Sequence, residues 1–227
     1  MKSEKLKMIN EGMDDNTFNI QHSTFNIQDT KYPVMEAFYT IQGEGAYTGH
    51  ASYFIRLAGC DVGCVWCDVK ESWEVSGHPV LPVDEIVAGA TSYPARLAVI
   101  TGGEPLMHDL SPLIELLHKN NFQVHIETSG SSPLQGKPDW ICLSPKKFKA
   151  PQPEIYPLAD ELKVIVFNRS DFKYAEEQAA KVSSKCKLFL QPEWGKASEM
   201  TPLIIDYIKA HPQWQISLQT HKYMNIP

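Results

Sequence analysis

Short apolar segments alternate with amphipathic helical patterns along the chain from Val34 onward. The predicted strands, rich in Val, Ile, Phe and Leu, are residues 34–40, 52–58, 96–101, 122–127, 140–143, 161–167, 187–191 and 214–219. The predicted helices are residues 82–91, 109–120, 170–183 and 199–210. Strands that alternate with helices are typical of parallel β–α–β units, so the pattern predicts an α/β fold. Ligands of parallel sheets bind in the loops that follow the strands, and we expect a functional site there.

Composition excludes several classes of function. The chain of 227 residues carries a formal net charge of −6, which argues against a broad basic surface for direct binding of nucleic acid. No apolar run approaches the ~20 residues that a membrane-spanning helix needs. The first thirty residues lack the apolar stretch of a signal peptide. We therefore expect a cytoplasmic protein that binds neither nucleic acid nor membranes.

The first thirty residues differ in character from the rest of the chain. They are polar and contain a short duplication, in which residues 17–21 and 24–28 both read Thr-Phe-Asn-Ile-Gln. Two copies of five residues cannot build a repeat fold. We expect residues 1–30 to form a flexible tail and residues 31–227 to form a single catalytic domain.

Three of the cysteines lie in one short loop directly after a predicted strand. Cys60, Cys64 and Cys67 have the spacing C-x3-C-x2-C, and a glycine-containing turn can bring their sulfurs to one side. Such a loop can hold an iron–sulfur cluster with one open iron. It can also hold a zinc ion that is completed by His50 or His78, and the spacing alone leaves both readings open.

The other two cysteines, Cys142 and Cys186, stand alone on apolar segments. Five cysteines in a chain without an export signal are a poor disulfide framework. Free cysteine packs like a small apolar side chain, so we predict that both thiols are buried.

Two further sequence features accompany the cysteine loop. Trp66 stands directly before the last cysteine, and residues 102–105, Gly-Gly-Glu-Pro, follow the buried-strand pattern of residues 97–101. Paired glycines let the backbone approach a ligand, and a carboxylate at a strand end can bind an ammonium group. Together the cysteine loop and the glycine motif resemble the radical S-adenosylmethionine (SAM) superfamily. The resemblance implies that the three cysteines hold a [4Fe-4S] cluster whose fourth iron binds SAM.

Four more segments resemble the 7-carboxy-7-deazaguanine synthase family within that superfamily. They are residues 38–45, Phe-Tyr-Thr-Ile-Gln-Gly-Glu-Gly; Arg56 in an otherwise apolar strand; residues 143–146, Leu-Ser-Pro-Lys; and residues 219–227. The resemblance covers nearly everything from about residue 34 onward. The chain is too short for a complete eight-unit barrel of ~250 residues, and a partial, open (β/α)6 barrel of the radical SAM type fits its length.

The resemblance implies which residues surround the ligands. Substrate contacts are expected from Ile41, Gln42, Gly43, Glu44, Arg56, Thr101 and Pro227. SAM contacts are expected from Trp66, Cys67, Asp68, Gly103, Glu104, Ser144, Pro145, Lys146, Gln191, Pro192, Glu193 and Trp194. No side chain is assigned as a catalytic acid or base.

Simpler explanations exist for several of these residues. Residues 42–45 are also compatible with a tight turn, and Arg56 is also compatible with an ion pair inside a strand. The basic run at residues 146–149 can be a solvated surface. Their common order along the chain favours the binding roles.

The implied enzyme is a lyase that converts 6-carboxy-5,6,7,8-tetrahydropterin to 7-carboxy-7-deazaguanine, with ring contraction and loss of ammonia, for queuosine and related 7-deazapurines. A reduced cluster would cleave SAM, hydrogen would be taken from C6 of the substrate, and SAM would be re-formed. A flavodoxin- or ferredoxin-type electron donor and a homodimer are also implied. The alternatives are a glycyl-radical-enzyme activase and, from another class, a zinc-stabilised binding module.

One position departs from the family pattern. The family often has Thr or Ser directly after the Cys-Asp pair, where its hydroxyl binds Mg²⁺, whereas this chain has Val69. A valine side chain offers no oxygen to a hard cation. Mg²⁺ would have to use substrate oxygens, backbone carbonyls or Ser72, or would be dispensable. We predict a weaker dependence on Mg²⁺.

Overall fold

The structure, a computed structural model, describes residues 29–227. Its strands are β1 Lys31–Ile41, β2 Ala51–Leu57, β3 Val80–Pro82, β4 Leu97–Gly102, β5 Gln123–Thr128, β6 Trp140–Leu143, β7 Glu161–Val166, β8 Lys187–Pro192 and β9 Trp214–Ile216. Its α-helices are α1 Val83–Thr91, α2 Ser111–Lys119, α3 Ser170–Ala179, α4 Ala197–Ala210 and α5 Thr220–Met224. The predicted flexible tail lies outside these residues, apart from Asp29 and Thr30.

All strands of the described residues belong to one sheet, in the order β3-β1-β2-β4-β5-β6-β7-β8-β9. From β2 through β4 to β9, each strand runs parallel to the next strand in this order. The two edges, β3 and β9, do not pair with each other, so the sheet is an open, partial barrel. The predicted α/β fold and open barrel are confirmed.

The first part of the sheet differs from the predicted parallel units. Strand β1 pairs antiparallel with both β2 and β3. The connection 42–50 between β1 and β2 contains only a short 3-10 turn. A parallel neighbour needs a crossover of a dozen or more residues, so this short connection imposes the antiparallel pairing. Helices are also absent, within the described residues, between β5 and β6, and a 3-10 segment replaces the helix between β6 and β7.

The two faces of the sheet have different surroundings, because side chains alternate along each strand. In β4, Ala98 and Ile100 pack in the main core with residues of the helices, whereas Leu97 and Val99 pack on the opposite face beside Phe54. Further along the sheet, that opposite face carries buried polar side chains. The sheet therefore has one helix-covered apolar face and one inner face that turns polar towards the centre.

The predicted strands and helices are all present, with shifted ends. Sequence patterns missed β3, whose three residues pair with β1, and α5, whose five residues lack an apolar period. Both elements depend on tertiary contacts and not on local propensity. Cys142 and Cys186 are buried free thiols, as predicted. None of the helices in residues 29–227 has the length and hydropathy to cross a membrane.

Candidate active site

A cavity of about 390 Å³ opens at the carboxyl ends of the parallel strands. All predicted substrate residues line it: Ile41, Gln42, Gly43, Glu44, Arg56, Thr101 and Pro227. The predicted cofactor residues that line it are Cys60, Cys64, Trp66, Cys67, Asp68, Gly103, Ser144, Lys146, Gln191, Pro192, Glu193 and Trp194. Glu104 and Pro145 do not line it. The fold thus brings nearly all predicted site residues to one place.

The cysteine loop follows β2 and turns through two glycines with left-handed backbone angles, Gly59 at φ +107° and Gly63 at φ +74°. The backbone N–H of Gly59 donates to the carbonyl of Ser72 at 2.7 Å, which ties the loop to the segment behind it. Cys64 is buried, whereas Cys60 and Cys67 are partly exposed towards the cavity. The turn therefore presents three thiols along one wall.

The glycine motif packs directly on the cysteine loop. The backbone N–H of Gly103 donates to Leu57 at 3.0 Å, and that of Glu104 donates to Gly59 at 2.8 Å. A Cβ atom on Gly103 would lie 2.7 Å from the Cβ of Cys60, closer than carbon atoms can approach. Only glycine allows the two motifs to share one wall of the cavity.

The donor set of the loop fits an iron–sulfur cluster. Burial raises the pKa of Cys64 to about 11, so this thiol needs a metal cation to ionise at neutral pH. Among the side chains of residues 29–227, no three His, Cys, Asp or Glu form a group that could hold a metal ion. In a cluster each cysteine binds a different iron, so its ligands lie farther apart than those of one ion.

The two histidines considered as zinc ligands are engaged elsewhere. One ring nitrogen of His50 lies 2.9 Å from the carbonyl of Tyr47, and one of His78 lies 2.9 Å from the carbonyl of Glu71. Neither histidine lines the cavity. The structure does not bring them to the cysteines.

Glu104 is held by several protein groups beside the cavity, and its expected contact with SAM stays a prediction. Its side chain is 1% exposed, and its carboxylate accepts hydrogen bonds from the N–H of Leu106 at 3.0 Å, from the hydroxyl of Thr128, and from the N–H of Ser129 at 2.8 Å and its hydroxyl at 2.5 Å. All these donors are protein groups. Glu104 therefore fixes the turn after β5, and the turn itself lines the cavity through Thr128 and Ser129.

The segment after β6 forms another wall. Lys146 donates through Nζ to the backbone oxygen of Ser144 at 2.5 Å and to its hydroxyl at 2.6 Å. The same ammonium lies 5.9 Å from the ring centre of Trp66, and burial lowers the pKa of Lys146. Pro145 between them is buried behind the wall. Lys146 is thus held inside the site, while its neighbours Lys147 and Lys149 pair with Asp171 and Asp61.

Arg56 forms the ion pair considered for it and also lines the cavity, and its contact with substrate stays a prediction. Its Nε donates to Glu36 at 2.6 Å, which makes it one half of an ion pair within the sheet. Its side chain also lines the cavity. Glu36 therefore orients a guanidinium that faces the cavity.

Two charged residues that sequence reasoning missed complete the inner face. Lys163 on β7 donates to Glu44 at 2.5 Å and lies 3.5 Å from a carboxylate oxygen of Glu127 on β5. Gln42 forms hydrogen bonds with both acidic residues: its Nε2 donates to the carboxylate of Glu127 at 2.9 Å, and its Oε1 accepts from the backbone N–H of Glu44 at 3.0 Å. Charged residues inside the apolar strand patterns 122–127 and 161–167 were the available signal.

The last described segment closes over the cavity. Thr220 donates to the carbonyl of Gly43 through both its N–H and its hydroxyl, each at 2.9 Å. Lys222 pairs with Asp68, the residue after the last cysteine of the loop, at 2.7 Å. A Cβ on Gly43 would lie 2.8 Å from Cγ of His221, so the segment rests directly on that glycine.

Comparisons with known proteins agree on one group. The Radical SAM superfamily profile matches residues 54–144. The chain is similar to a 7-carboxy-7-deazaguanine synthase of Flavobacterium psychrophilum, with 60% identity over 85% of this chain and 91% of that protein. It is similar to the Escherichia coli K12 protein of that name, with 37% identity over 84% and 97%. A crystal structure of QueE from Escherichia coli has a TM-score of 0.77 and 34% identity, over 87% of this chain and 99% of that chain.

Replacing Glu104 tests its structural position. We expect Glu104→Ala to lower the free energy of unfolding of the cofactor-free protein by about 3 kcal/mol or more, because it leaves several buried donors without an acceptor. Urea denaturation measures the change. Glu177→Ala on the exposed face of α3 is the matched control and should cost less than about 1 kcal/mol. Normal stability of Glu104→Ala combined with lost SAM binding would instead support the expected cofactor contact.

Proposed function

Since the chain belongs to the 7-carboxy-7-deazaguanine synthase family of the radical SAM superfamily, we propose that this cavity binds SAM and 6-carboxy-5,6,7,8-tetrahydropterin side by side. The product is 7-carboxy-7-deazaguanine, formed with ring contraction and loss of ammonia for queuosine and related 7-deazapurines. One observation carries the proposal: the three cysteines line the same cavity as charged side chains suited to a polar heterocycle, Glu44, Glu127 and Arg56. The relatives do not favour the glycyl-radical-enzyme activase.

The cofactors would occupy the wall formed by the two motifs. Cys60, Cys64 and Cys67 would hold the [4Fe-4S] cluster, and backbone groups of Gly103 with the Ser144–Lys146 wall would surround SAM. When bound, the cluster and SAM supply the hydrogen-atom abstraction that starts the rearrangement. The protein's part is to hold the C–H bond of the substrate next to the cofactor.

The opposite charges of the cavity suit a carboxypterin. The guanidinium of Arg56 and the ammonium of Lys222 are cationic partners for the substrate carboxylate. Glu44 and Glu127 offer acceptors to the N–H groups of the heterocycle. Groups aimed at that edge would reject analogues that lack those donors.

The closing segment would protect the reactive species from water. Thr220 and Lys222 join the loop after β1 to the cysteine loop, and Pro227 lines the cavity beside them. The carbonyl of Pro227 accepts a hydrogen bond from Thr40 at 3.1 Å. This contact would fix the cover at the substrate end.

The remaining features of the proposed enzyme come from the family. We propose that a flavodoxin- or ferredoxin-type protein supplies the electron, that the enzyme works in the cytoplasm and that it forms a homodimer. The open edges of the sheet, which a second copy would cover, support the homodimer.

An anaerobic assay tests the proposed reaction. We expect the reconstituted protein, given carboxypterin, SAM and dithionite, to form 7-carboxy-7-deazaguanine, identified by mass. Product should exceed the SAM consumed, because SAM is re-formed in each turnover. Cleavage of SAM with the pterin left unchanged would contradict the proposal and would favour the activase.

Arg56→Ala tests the carboxylate contact. We expect kcat/KM to fall about 10- to 150-fold, because a hydrogen bond to a charged group contributes about 1.5 to 3 kcal/mol. Iron content should stay at the parent level. Arg169→Ala, at an exposed position before α3, is the control and should leave turnover unchanged. Loss of iron in Arg56→Ala would show that Arg56 is structural.

Val69→Thr tests the dependence on magnesium. Val69 lines the cavity without a side-chain oxygen, and its backbone carbonyl already accepts the Ser72 hydroxyl at 2.7 Å. We propose that the natural enzyme needs little Mg²⁺ and expect the threonine variant to gain Mg²⁺ activation. The measurement is initial rate against Mg²⁺ concentration after treatment with chelator. Equal, strong activation of both proteins would contradict this proposal.

A further inference from the structure

Lys163 is a buried cation that the proposed reaction does not use directly. Its side chain is 3% exposed, and lysine is almost never so buried without a charged partner. Its ammonium lies 2.5 Å from Glu44 and 3.5 Å from Glu127. The two carboxylates come from different parts of the chain, the loop after β1 and the end of β5. A single lysine therefore joins two walls of the substrate pocket.

A third carboxylate, that of Glu161, holds the loop after β1 through a backbone hydrogen bond. Glu161 accepts the backbone N–H of Ala46 at 3.0 Å, and a Cβ on Gly45 would collide with its carboxylate. Gly45 has a left-handed φ of +64°, so the loop passes over Glu161 in a conformation that favours glycine. The position of Glu44, next to this turn, is thus fixed by its backbone as well as by Lys163.

We propose that Lys163 is a positioning residue that keeps Glu44 ionised and holds Glu44 and Glu127 in place as acceptors for the ring N–H groups of the pterin. The inference rests on the proposed function. Lys163 itself acts through the two carboxylates and does not contact the reacting atoms.

Charge balance explains why the pocket needs this lysine. Two carboxylates that share one lysine repel each other, and without that cation the buried Glu44 takes up a proton more readily. A protonated carboxyl presents its own hydrogen and loses acceptor capacity towards ring N–H groups. With Lys163 present, Glu44 and Glu127 together retain one net negative charge. Arg56, on β2 and two strands away from Glu127 on β5, supplies the opposite charge, so a ligand with N–H donors at one end and a carboxylate at the other has one favoured orientation.

The groups around Lys163 keep this charge state over the physiological range. Burial alone would raise the pKa of Glu44, but the ammonium of Lys163 and hydrogen bonds lower it to about 2. Burial disfavours the lysine's charge, yet the acidic groups around it raise its pKa well above the usual range. Burial also raises the pKa of Cys142 and of Glu161 and lowers that of His221, which faces Glu44 from the closing segment. Above neutral pH, Glu44 stays ionised and Lys163 stays protonated.

Equilibrium binding of the substrate tests the inference without turnover. The reconstituted enzyme with SAM, kept without reductant, is titrated with 6-carboxy-5,6,7,8-tetrahydropterin in a calorimeter at about pH 6.5 and about pH 8.5. We expect Lys163→Met to bind at least about tenfold more weakly at the lower pH and to recover part of the loss at the higher pH, because the unpaired Glu44 then ionises. Lys163→Arg, which keeps the charge, should keep the parent's pH profile.

Two further variants separate positioning from a general structural role. Lys173→Met, at an exposed site on α3, is the matched control and should bind like the parent. Glu44→Gln should bind weakly at both pH values, and adding Lys163→Met to it should change the dissociation constant less than about threefold, because the acceptor is already lost. This double variant carries no unpaired Glu44 charge and remains a test where Lys163→Met alone fails to fold.

The outcomes separate the positioning role of Lys163 from the proposed function. Parent-like affinity of Lys163→Met with a flat pH profile would overturn the positioning role and leave the proposed function intact. Additive losses from Lys163→Met and Glu44→Gln would overturn it as well. A parent enzyme that does not bind the carboxypterin would overturn the proposed function and the inference together.

Discussion

Close packing between the end of β4 and the cysteine loop is the contact on which the site depends. Gly102 has φ +147°, and a side chain there would run into the backbone of Leu57 on the neighbouring strand. A side chain on Gly103 would run into Gly59 and Cys60. Interiors are packed too densely to absorb such overlaps cheaply. The paired glycines thus set how near the cofactor-binding motifs lie to each other, and the parallel strands bring the other walls to the same edge.

The inner face of the sheet shows how a small domain can bury several charges. Buried ions are costly unless they are paired and hydrogen-bonded. Here Lys163 serves two carboxylates, and Glu104 accepts from several donors of one turn. Each charge therefore has partners from a different strand or loop. The same pairs that offset desolvation also join neighbouring strands around the cavity, so stability and ligand geometry depend on one network.

Sequence reasoning found the strands, the motifs and the cavity residues, because periodicity and spacing are local properties. It missed what depends on contacts between distant segments. Glu104 has the right residue type and position for an ammonium contact, and only the fold shows that its oxygens also accept hydrogen bonds from Thr128 and Ser129. Glu127 and Lys163 lie in apolar strands, and a charge at such a position has meaning only once its partner is known. The antiparallel start of the sheet follows from the length of the loop between β1 and β2, which is itself a property of the sequence.

The closing segment, residues 219–227, contacts both the cysteine loop and the loop after β1, and so joins two sides of the cavity. Lys222 donates a hydrogen bond to Asp68 in the cysteine loop, while Thr220 donates to the carbonyl of Gly43 in the loop after β1. The ion pair is half exposed and contributes at most about 1 kcal/mol, whereas Thr220 uses two hydrogen bonds on one carbonyl. The closing segment is therefore held mainly by its hydrogen bonds to the loop after β1, and the ion pair adds a weaker contact with the cysteine loop. Glu44 lies next to Gly43, the residue that the closing segment contacts. Because Lys163 holds the carboxylate of Glu44 in place, it also holds this contact point of the closing segment in place.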